Sequence, residues 1–168
     1  MKDPGINHTF FVLTRKGAAV RSRSDLAVYI RGRVLPKELL PSILAERVWP
    51  LFARGDYDVA VFQAFKQVEV SVREASSYEP ELVGVDLMRK AFNIDTGPLC
   101  DQSLPRAERE AEAHLFAGAI GHAKNPASHR NVEHDAAGAA KLIILSAYLL
   151  GIVERRVTTC PSVSTAAA

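Results

Sequence analysis

The segment from Tyr57 to Val72 places the strongest constraint on the fold. Its apolar residues recur at intervals of three and four, at positions 57, 60, 61, 64, 65, 68 and 72. This spacing puts them on one face of an α-helix of about four turns. The low aromatic content of 7% and the runs of Ala and Leu also favour helix. Because a helix with one apolar face must pack against other elements, the sequence predicts an all-α domain.

Further helices are predicted on both sides of this segment. Ser24 and Asp25 are candidate caps for a short helix that ends at Arg31. Pro50 is expected to kink or end a helix over residues 39–52. A break over 54–56 follows, with Gly55 suited to a helix C-terminus and Asp56 to an N-cap. The other predicted helices span residues 84–92, 106–123 and 133–155, and residues 93–105 are predicted to form a loop.

Small and apolar residues shape the last two predicted helices. Gly118 and Gly121 weaken their helix by about 1 kcal/mol each relative to Ala, so we expect another backbone to come close to them. The last helix is apolar nearly all round over the 12 residues from Leu142 to Val153. A membrane span needs about 20 apolar residues. The pattern therefore predicts the most buried helix of the domain.

Length and composition indicate one soluble domain. Of the 168 residues, 48% are hydrophobic and 24% are charged, which is ordinary for a globular protein. Cys100 and Cys160 are far apart and form no C-x-x-C pattern, as expected in a reducing compartment. Residues 1–9 are polar, and the apolar run at 10–13 is too short for a signal peptide. We therefore expect a cytoplasmic protein.

Charge sets the N-terminal segment apart. Residues 1–37 hold eight Lys or Arg and two Asp or Glu, whereas the rest of the chain holds 13 and 17. This excess indicates either a polyanion contact or a solvated basic linker. A strand pattern at 6–14 and the turn after it resemble the last strand and exit of a winged-helix domain, so a remnant of that fold and a linker both stay open. The bundle is predicted over 38–156, and 157–168 is predicted to be a disordered tail.

The residues with the clearest chemical capability lie within 121–130. Lys124, Asn125 and His129 are close in sequence across Pro126, which disfavours helical geometry at the residue before it. We expect the three side chains to converge on one spot. A cation stabilises charge that develops on phosphate oxygens, and a histidine transfers a proton near neutral pH. Asn125 orients a reacting group or holds the turn, and the combination favours phosphodiester chemistry.

Glu69 and Arg73 form a polar stripe with Phe62 and Lys66, on another face of the helix that begins at residue 57. Two interpretations are open. The first is an exposed ion pair four residues apart, worth about 0.2–0.5 kcal/mol. The second is that the stripe faces the motif or a dimer partner, with Glu69 tuning His129.

His122 and Arg130 flank the motif. His122 lies within one or two turns of it and is a candidate for lining the same cleft. Arg130 is either a second phosphate contact or a surface arginine. No cysteine stands at helical spacing from His122 or His129, and no acidic residue stands at that spacing from His122, so we do not expect the two to form a zinc site. We expect no metal and no other cofactor.

The pattern Lys-Asn-Pro-Ala-Ser-His at 124–129 resembles the Arg-Asn-x-x-x-His motif of HEPN domains. These are small helical bundles, and many are metal-independent endoribonucleases of toxin–antitoxin and antiphage systems. The wider sequence resembles one HEPN-like family, the Ymh-type proteins, over roughly residues 39–156. The resemblance rests on four segments in family order, at 51–61, 85–92, 115–119 and 125–129.

This resemblance implies a HEPN-like bundle of four or five helices that forms a homodimer, with two motifs facing each other across a shared cleft. It implies RNA cleavage by attack of the ribose 2′-hydroxyl, without metal, to leave a cyclic phosphate. In that mechanism His129 is the general acid or base, and Lys124 contacts phosphate in place of the family's arginine. Asn125 positions the motif. An antitoxin or another regulatory protein is an expected partner.

Lysine at position 124 leaves other functions open. It keeps the charge of arginine but lacks the planar fork that binds a phosphate through two hydrogen bonds. One alternative is a non-catalytic module that dimerises and binds nucleic acid or protein. Another is the dimerisation part of a DNA-binding regulator that contacts DNA through residues 1–37.

Overall fold

The computed structural model describes residues 15–18, 20–124 and 132–159, and these ranges contain helices and turns but no strand. A 3-10 turn (Lys37–Leu39) precedes the third helix, and a π-helical turn (Ile120–Lys124) extends the seventh. The all-α prediction is confirmed, and the strand predicted at 6–14 lies outside the described residues. The helices are α1 (Arg15–Ala18), α2 (Arg23–Val34), α3 (Ser42–Arg47), α4 (Trp49–Arg54), α5 (Tyr57–Ser76), α6 (Gly84–Ala91), α7 (Arg106–Ala119) and α8 (Ala136–Thr159).

Helix α5 is the centre of the bundle. It contacts α8 along much of its length and also packs against α3, α4, α6 and the π-turn. Each buried Val or Phe side chain contributes about 1.5–3 kcal/mol relative to an exposed one. The apolar face predicted for this helix is confirmed, because these six members of it are fully buried: Ala60, Val61, Ala64, Phe65, Val68 and Val72.

Helix α8 is longer and less evenly buried than predicted. It spans 24 residues and ends at Thr159, so residues 157–159, which were predicted to belong to the tail, are helical. The rest of the predicted tail lies outside the described residues. Ala139, Ile143 and Leu149 are buried, whereas Ile144 and Tyr148 are 39% and 57% exposed. The prediction that this is the most buried helix of the domain is wrong, because its apolar residues are buried only on the side that faces α5.

By length and composition alone, α8 is long and apolar enough to cross a membrane. The count of 12 apolar residues was too low, because the Ala and Gly residues at 136–140 extend the apolar stretch. The core helix of a soluble protein meets the same criteria. In this bundle 44% of the apolar window is buried, against α5 above all.

The helix breaks occur close to the predicted positions. The chain bends at Val48, and Pro50 lies in the first turn of α4, where its missing N–H breaks no helical hydrogen bond. Gly55 ends α4 with a φ of 99°, a left-handed conformation that favours glycine. Asp56 precedes α5 without capping it. Its carboxylate instead accepts a hydrogen bond from Arg54 Nε at 3.1 Å.

Helix α2 begins at a different cap from the predicted Ser24. Ser22 Oγ accepts a hydrogen bond from Asp25 N at 3.0 Å, and the Asp25 carboxylate accepts one from Ser22 N at 2.9 Å. This reciprocal pair is a capping box. The helix then packs on α4, where Arg31 NH1 donates to the Ala53 carbonyl at 3.0 Å.

Candidate functional site

Lys124 is the last residue of the π-turn that extends α7. A π-turn adds a residue to the helical repeat and so changes the direction in which the following side chains point. Ile120 and Ala123 of this turn are buried. At Gly121 a Cβ atom would lie 3.3 Å from Val85 Cγ2, so glycine lets the turn approach α6. The turn thereby packs against α5 and α6.

Glu69 of α5 is the partner of Lys124. Lys124 Nζ donates to Glu69 Oε2 at 2.8 Å, and the two side chains are 14% and 6% exposed. The same oxygen accepts a hydrogen bond from Gly84 N at 2.8 Å. The other oxygen accepts one from Arg73 NH2 at 3.0 Å. One buried carboxylate thus accepts hydrogen bonds from two cations and a backbone amide. Proteins bury a charged group at low cost only when it is paired in this way.

Arg73 is the second cation of this group, which we call the Glu69 cluster (Glu69, Arg73, Lys124 and the amide of Gly84). Arg73 Nε also donates to the Leu82 carbonyl at 3.1 Å, and its side chain is 19% exposed. The interpretation of Glu69 and Arg73 as an exposed surface pair is therefore wrong. The segment that leads into α6 covers them.

The other two residues of the polar stripe on α5 differ in their surroundings. The ring centroid of Phe62 lies 6.0 Å from Lys124 Nζ, whereas Lys66 is exposed. Glu69 faces the element that carries the motif, as the second interpretation of the stripe expected. Its effect on His129 stays a prediction.

Four of the seven predicted site residues lie in the described part of the chain: Glu69, Arg73, His122 and Lys124. The structure brings three of them together and leaves His122 exposed in the π-turn, two residues before Lys124. The other three, Asn125, His129 and Arg130, lie outside the described residues. Their convergence with Lys124 stays a prediction.

The sequence matches a protein family over residues 39–153, and the description of that family is Protein of unknown function (Hypoth_ymh). The chain belongs to this family. Comparisons with curated proteins and with solved structures gave no match. The predicted resemblance to the Ymh-type family is confirmed, and the HEPN assignment stays a prediction.

The Ymh region contains the whole Glu69 cluster. It includes α3 to α7, the π-turn and α8 as far as residue 153. Helix α2 precedes the matched region, although it packs on α4. All residues of the Glu69 cluster therefore lie within the Ymh region, whereas α2 lies outside it.

A groove of about 840 Å³ lies between α6 and α7 of the Ymh region. Val85, which faces Gly121, lines it together with Arg89 and His114. Gly118 is also in its wall, and a Cβ atom there would meet nothing within 4 Å. The close backbone expected at Gly118 is therefore absent. Sequence reasoning missed this groove, although His114 and Gly118 stand four residues apart on one helix face.

A second group of charges fixes the C-terminal end of α8. Arg156 donates to Asp101 Oδ2 at 3.1 Å, to Glu112 Oε1 at 2.9 Å and to the Leu99 carbonyl at 3.2 Å. Hydrogen bonds from the Ser103 side chain and backbone, and then Arg156, hold the pKa of Asp101 below its ordinary value. Within residues 15–18, 20–124 and 132–159, no three His, Cys, Asp or Glu side chains are grouped to hold a metal ion.

Proposed function

We propose that this Ymh-family protein is a metal-independent endoribonuclease of the HEPN type that acts in toxin or antiphage defence. The fixed position of Lys124 carries the proposal. Its ammonium is held 2.8 Å from Glu69 at the end of the π-turn, directly before Asn125 and five residues before His129. Charge stabilisation in phosphoryl chemistry depends on cations that are already in place before the reaction.

In the proposed reaction the ribose 2′-oxygen attacks the adjacent phosphorus, and the bond from phosphorus to the 5′-oxygen of the next nucleotide breaks. The products are a 2′,3′-cyclic phosphate and a 5′-hydroxyl. His129 removes the proton from the 2′-hydroxyl or donates one to the leaving oxygen. In a homodimer with both motifs in one cleft, the two copies of His129 divide these transfers. Asn125 positions the motif, and Arg130 and His122 contact the bound RNA.

The two cations of the Glu69 cluster, Lys124 and Arg73, support an anionic substrate. Positive charge with little exposure to water attracts a phosphate more strongly than the same charge on an open surface does. In this proposal Glu69 and Arg73 hold Lys124 in place, and Glu69 also tunes His129.

The proposal also covers the setting of the protein. It is a cytoplasmic homodimer whose activity is held in check by an antitoxin or another regulatory protein. The packing of α8 against α5 supports a soluble bundle. RNA, the proposed substrate, is found in the same compartment.

The experiment is cleavage of single-stranded RNA in the presence of EDTA. We expect the parent chain to yield fragments with cyclic phosphate ends, and His129→Ala to cleave about 10²–10⁴-fold more slowly. Lys124→Ala should also be slower. His8→Ala is the matched control, since it removes a histidine far from the motif in sequence. RNA that stays intact with the parent, or equal cleavage by the parent and both motif variants, would rule out this site.

A second function is favoured by the burial of Lys124. Its side chain is 14% exposed and already bonded to Glu69, as expected of a cation that stabilises the bundle. The protein would then be a non-catalytic module that dimerises and binds nucleic acid or protein. In that case RNA would bind with an affinity that falls steeply with salt, and no cleavage products would form.

A further inference from the structure

A groove of about 550 Å³ lies between α2 and the 3-10 turn, separate from the Glu69 cluster. Two aromatic rings line it, those of Tyr29 and Trp49. Two exposed cations, Arg33 and Lys37, also line it. Val28, Gly32, Pro36 and Glu38 complete its walls.

The groove is formed between anchored elements. Trp49 Nε1 donates to the carbonyl of the buried Leu35 at 3.0 Å, which fixes the indole ring. A Cβ atom at Gly32 would lie 3.6 Å from Trp49 Cζ2, so α2 passes at van der Waals distance from the ring. Arg31 NH1 ties α2 to the Ala53 carbonyl at 3.0 Å. The Trp49 ring and the helix that carries Tyr29 are therefore held in place by direct contacts.

The groove is open to solvent and positively charged. Tyr29 is 40% exposed, and Lys37 Nζ lies 5.6 Å from the centroid of the Trp49 ring. Residues 20–37 hold five Lys or Arg and one Asp. From residue 38 onward, Asp and Glu outnumber Lys and Arg by 17 to 13. Positive charge is thus concentrated on the segment that forms the groove, which favours an anionic ligand.

We propose that this groove binds a single-stranded polynucleotide, with one base against the Tyr29 and Trp49 rings and backbone phosphates at Arg33 and Lys37. Aromatic rings beside cations are the arrangement by which proteins hold single strands with little sequence preference. A duplex covers the faces of its bases and offers none for stacking. A proline-rich peptide would use the rings but has no need of the cations. The site does not depend on the proposed cleavage activity.

Trp49 is the single tryptophan of the chain, so its fluorescence reports on this groove directly. The full chain is titrated with a 2′-O-methyl RNA of about eight nucleotides and with DNA of the same sequence. Neither strand has a free 2′-hydroxyl, so the result is independent of the proposed nuclease. We expect saturable quenching of Trp49 by single strands. The comparison of the two arms shows which kind of strand the groove prefers.

The contribution of stacking is tested at Tyr29. Tyr29→Ala should raise the Kd by about 5- to 150-fold, the range measured for loss of one base–aromatic stack. Tyr29→Phe keeps the ring and should bind as the parent does. Tyr148→Ala is the control, because it removes a tyrosine that is 57% exposed on α8. It should leave the Kd unchanged.

The contribution of the cations is tested through salt. Arg33→Gln and Lys37→Gln should each lower the slope of log Kd against log salt by about 0.7, the value for one phosphate contact to a single strand. Lys90→Gln is the control. It removes a cation that also lies over an aromatic ring, with its Nζ 4.6 Å from the centroid of Tyr78, but outside this groove. Its slope should match that of the parent.

Four results would overturn the proposal. The first is Trp49 fluorescence that does not change with either single strand. The second is equal quenching by a duplex of the same length. The third is quenching by a proline-rich peptide in place of single strands, and the fourth is a Tyr29→Ala variant that binds as tightly as the parent.

Discussion

The Glu69 cluster predicts an unusually large loss of stability from one small substitution. Glu69 accepts hydrogen bonds from Lys124, Arg73 and the amide of Gly84, at 2.8, 3.0 and 2.8 Å. Glu69→Gln preserves shape but removes the charge. In either orientation its NH2 group would face at least one of these donors. Because removal of one partner leaves buried charge uncompensated, we expect a loss of about 3–5 kcal/mol in the free energy of unfolding.

Substitution of Lys124, the partner of Glu69, should lower the free energy of unfolding by less. Lys124→Met keeps the length of the side chain and leaves Glu69 bonded to Arg73 and to a backbone amide. The lost hydrogen bond to Glu69 is charge-assisted and contributes about 1.5–3 kcal/mol. The double variant should show a coupling energy of about 1–3 kcal/mol between the two positions. Urea unfolding followed by circular dichroism and by Trp49 fluorescence measures all three values.

An ion pair of similar length on the protein surface provides the control for burial. Arg106 Nε lies 2.9 Å from Glu110 Oε1, but those side chains are 63% and 46% exposed. Glu110→Gln should change the free energy of unfolding by at most about 0.5 kcal/mol. If Glu69→Gln costs no more than this control, or if the coupling energy between positions 69 and 124 is near zero, burial of the ion pair is the wrong explanation.

Four further predictions concern other parts of the bundle. Gly97→Ala should lower the free energy of unfolding by about 1–3 kcal/mol, because a Cβ atom there would overlap the backbone nitrogen of Asn93. Gly118→Ala, with open space at that position, should raise it by about 1 kcal/mol in the same urea assay. Arg156→Lys should lower the Tm by about 2–4 °C for each kcal/mol lost, because lysine cannot bond both oxygens of Glu112 as Arg156 does. Burial raises the pKa of the Cys100 thiol, so near pH 8 less thiolate is present, and peptide mapping should show slower alkylation by iodoacetamide in the folded chain than in urea.

The fold was predictable where a pattern repeats within one helix. The spacing from Ala60 to Val72 identified the buried face of α5 without knowledge of its partners. Gly84 and Pro105 stand at the boundaries of α6 and α7, so the intervening loop was also predicted. The extent of α8 was not, because small Ala and Gly residues before Leu142 fit a core helix and a surface helix equally well. Which side of α8 is buried depends on contacts with α5, about 80 residues earlier in the chain.

The site was only partly predictable because its charges are paired across the chain. A glutamate side chain on a helix face is expected to be exposed to solvent unless a buried partner for it is known. Glu69 is buried because Lys124 and Gly84 reach it from 55 and 15 residues away. The π-turn that carries Lys124 could not be predicted either, because no sequence pattern identifies a π-turn as a capping residue or a proline identifies the end of a helix. Gly121 marked the close approach of this turn, but the contact is with the side chain of Val85 and not with a backbone.

The contact between Glu69 and Lys124 also decides how motif variants must be interpreted. A substitution at Lys124 removes a cation from the proposed phosphate site and, in the same step, a partner from a buried carboxylate. Loss of cleavage in Lys124→Ala therefore has two physical causes, and only activity compared with its free energy of unfolding separates them. In the proposed mechanism His129 takes part in the proton transfer itself. Cleavage by folded His129→Ala is thus the measurement on which the endoribonuclease proposal depends.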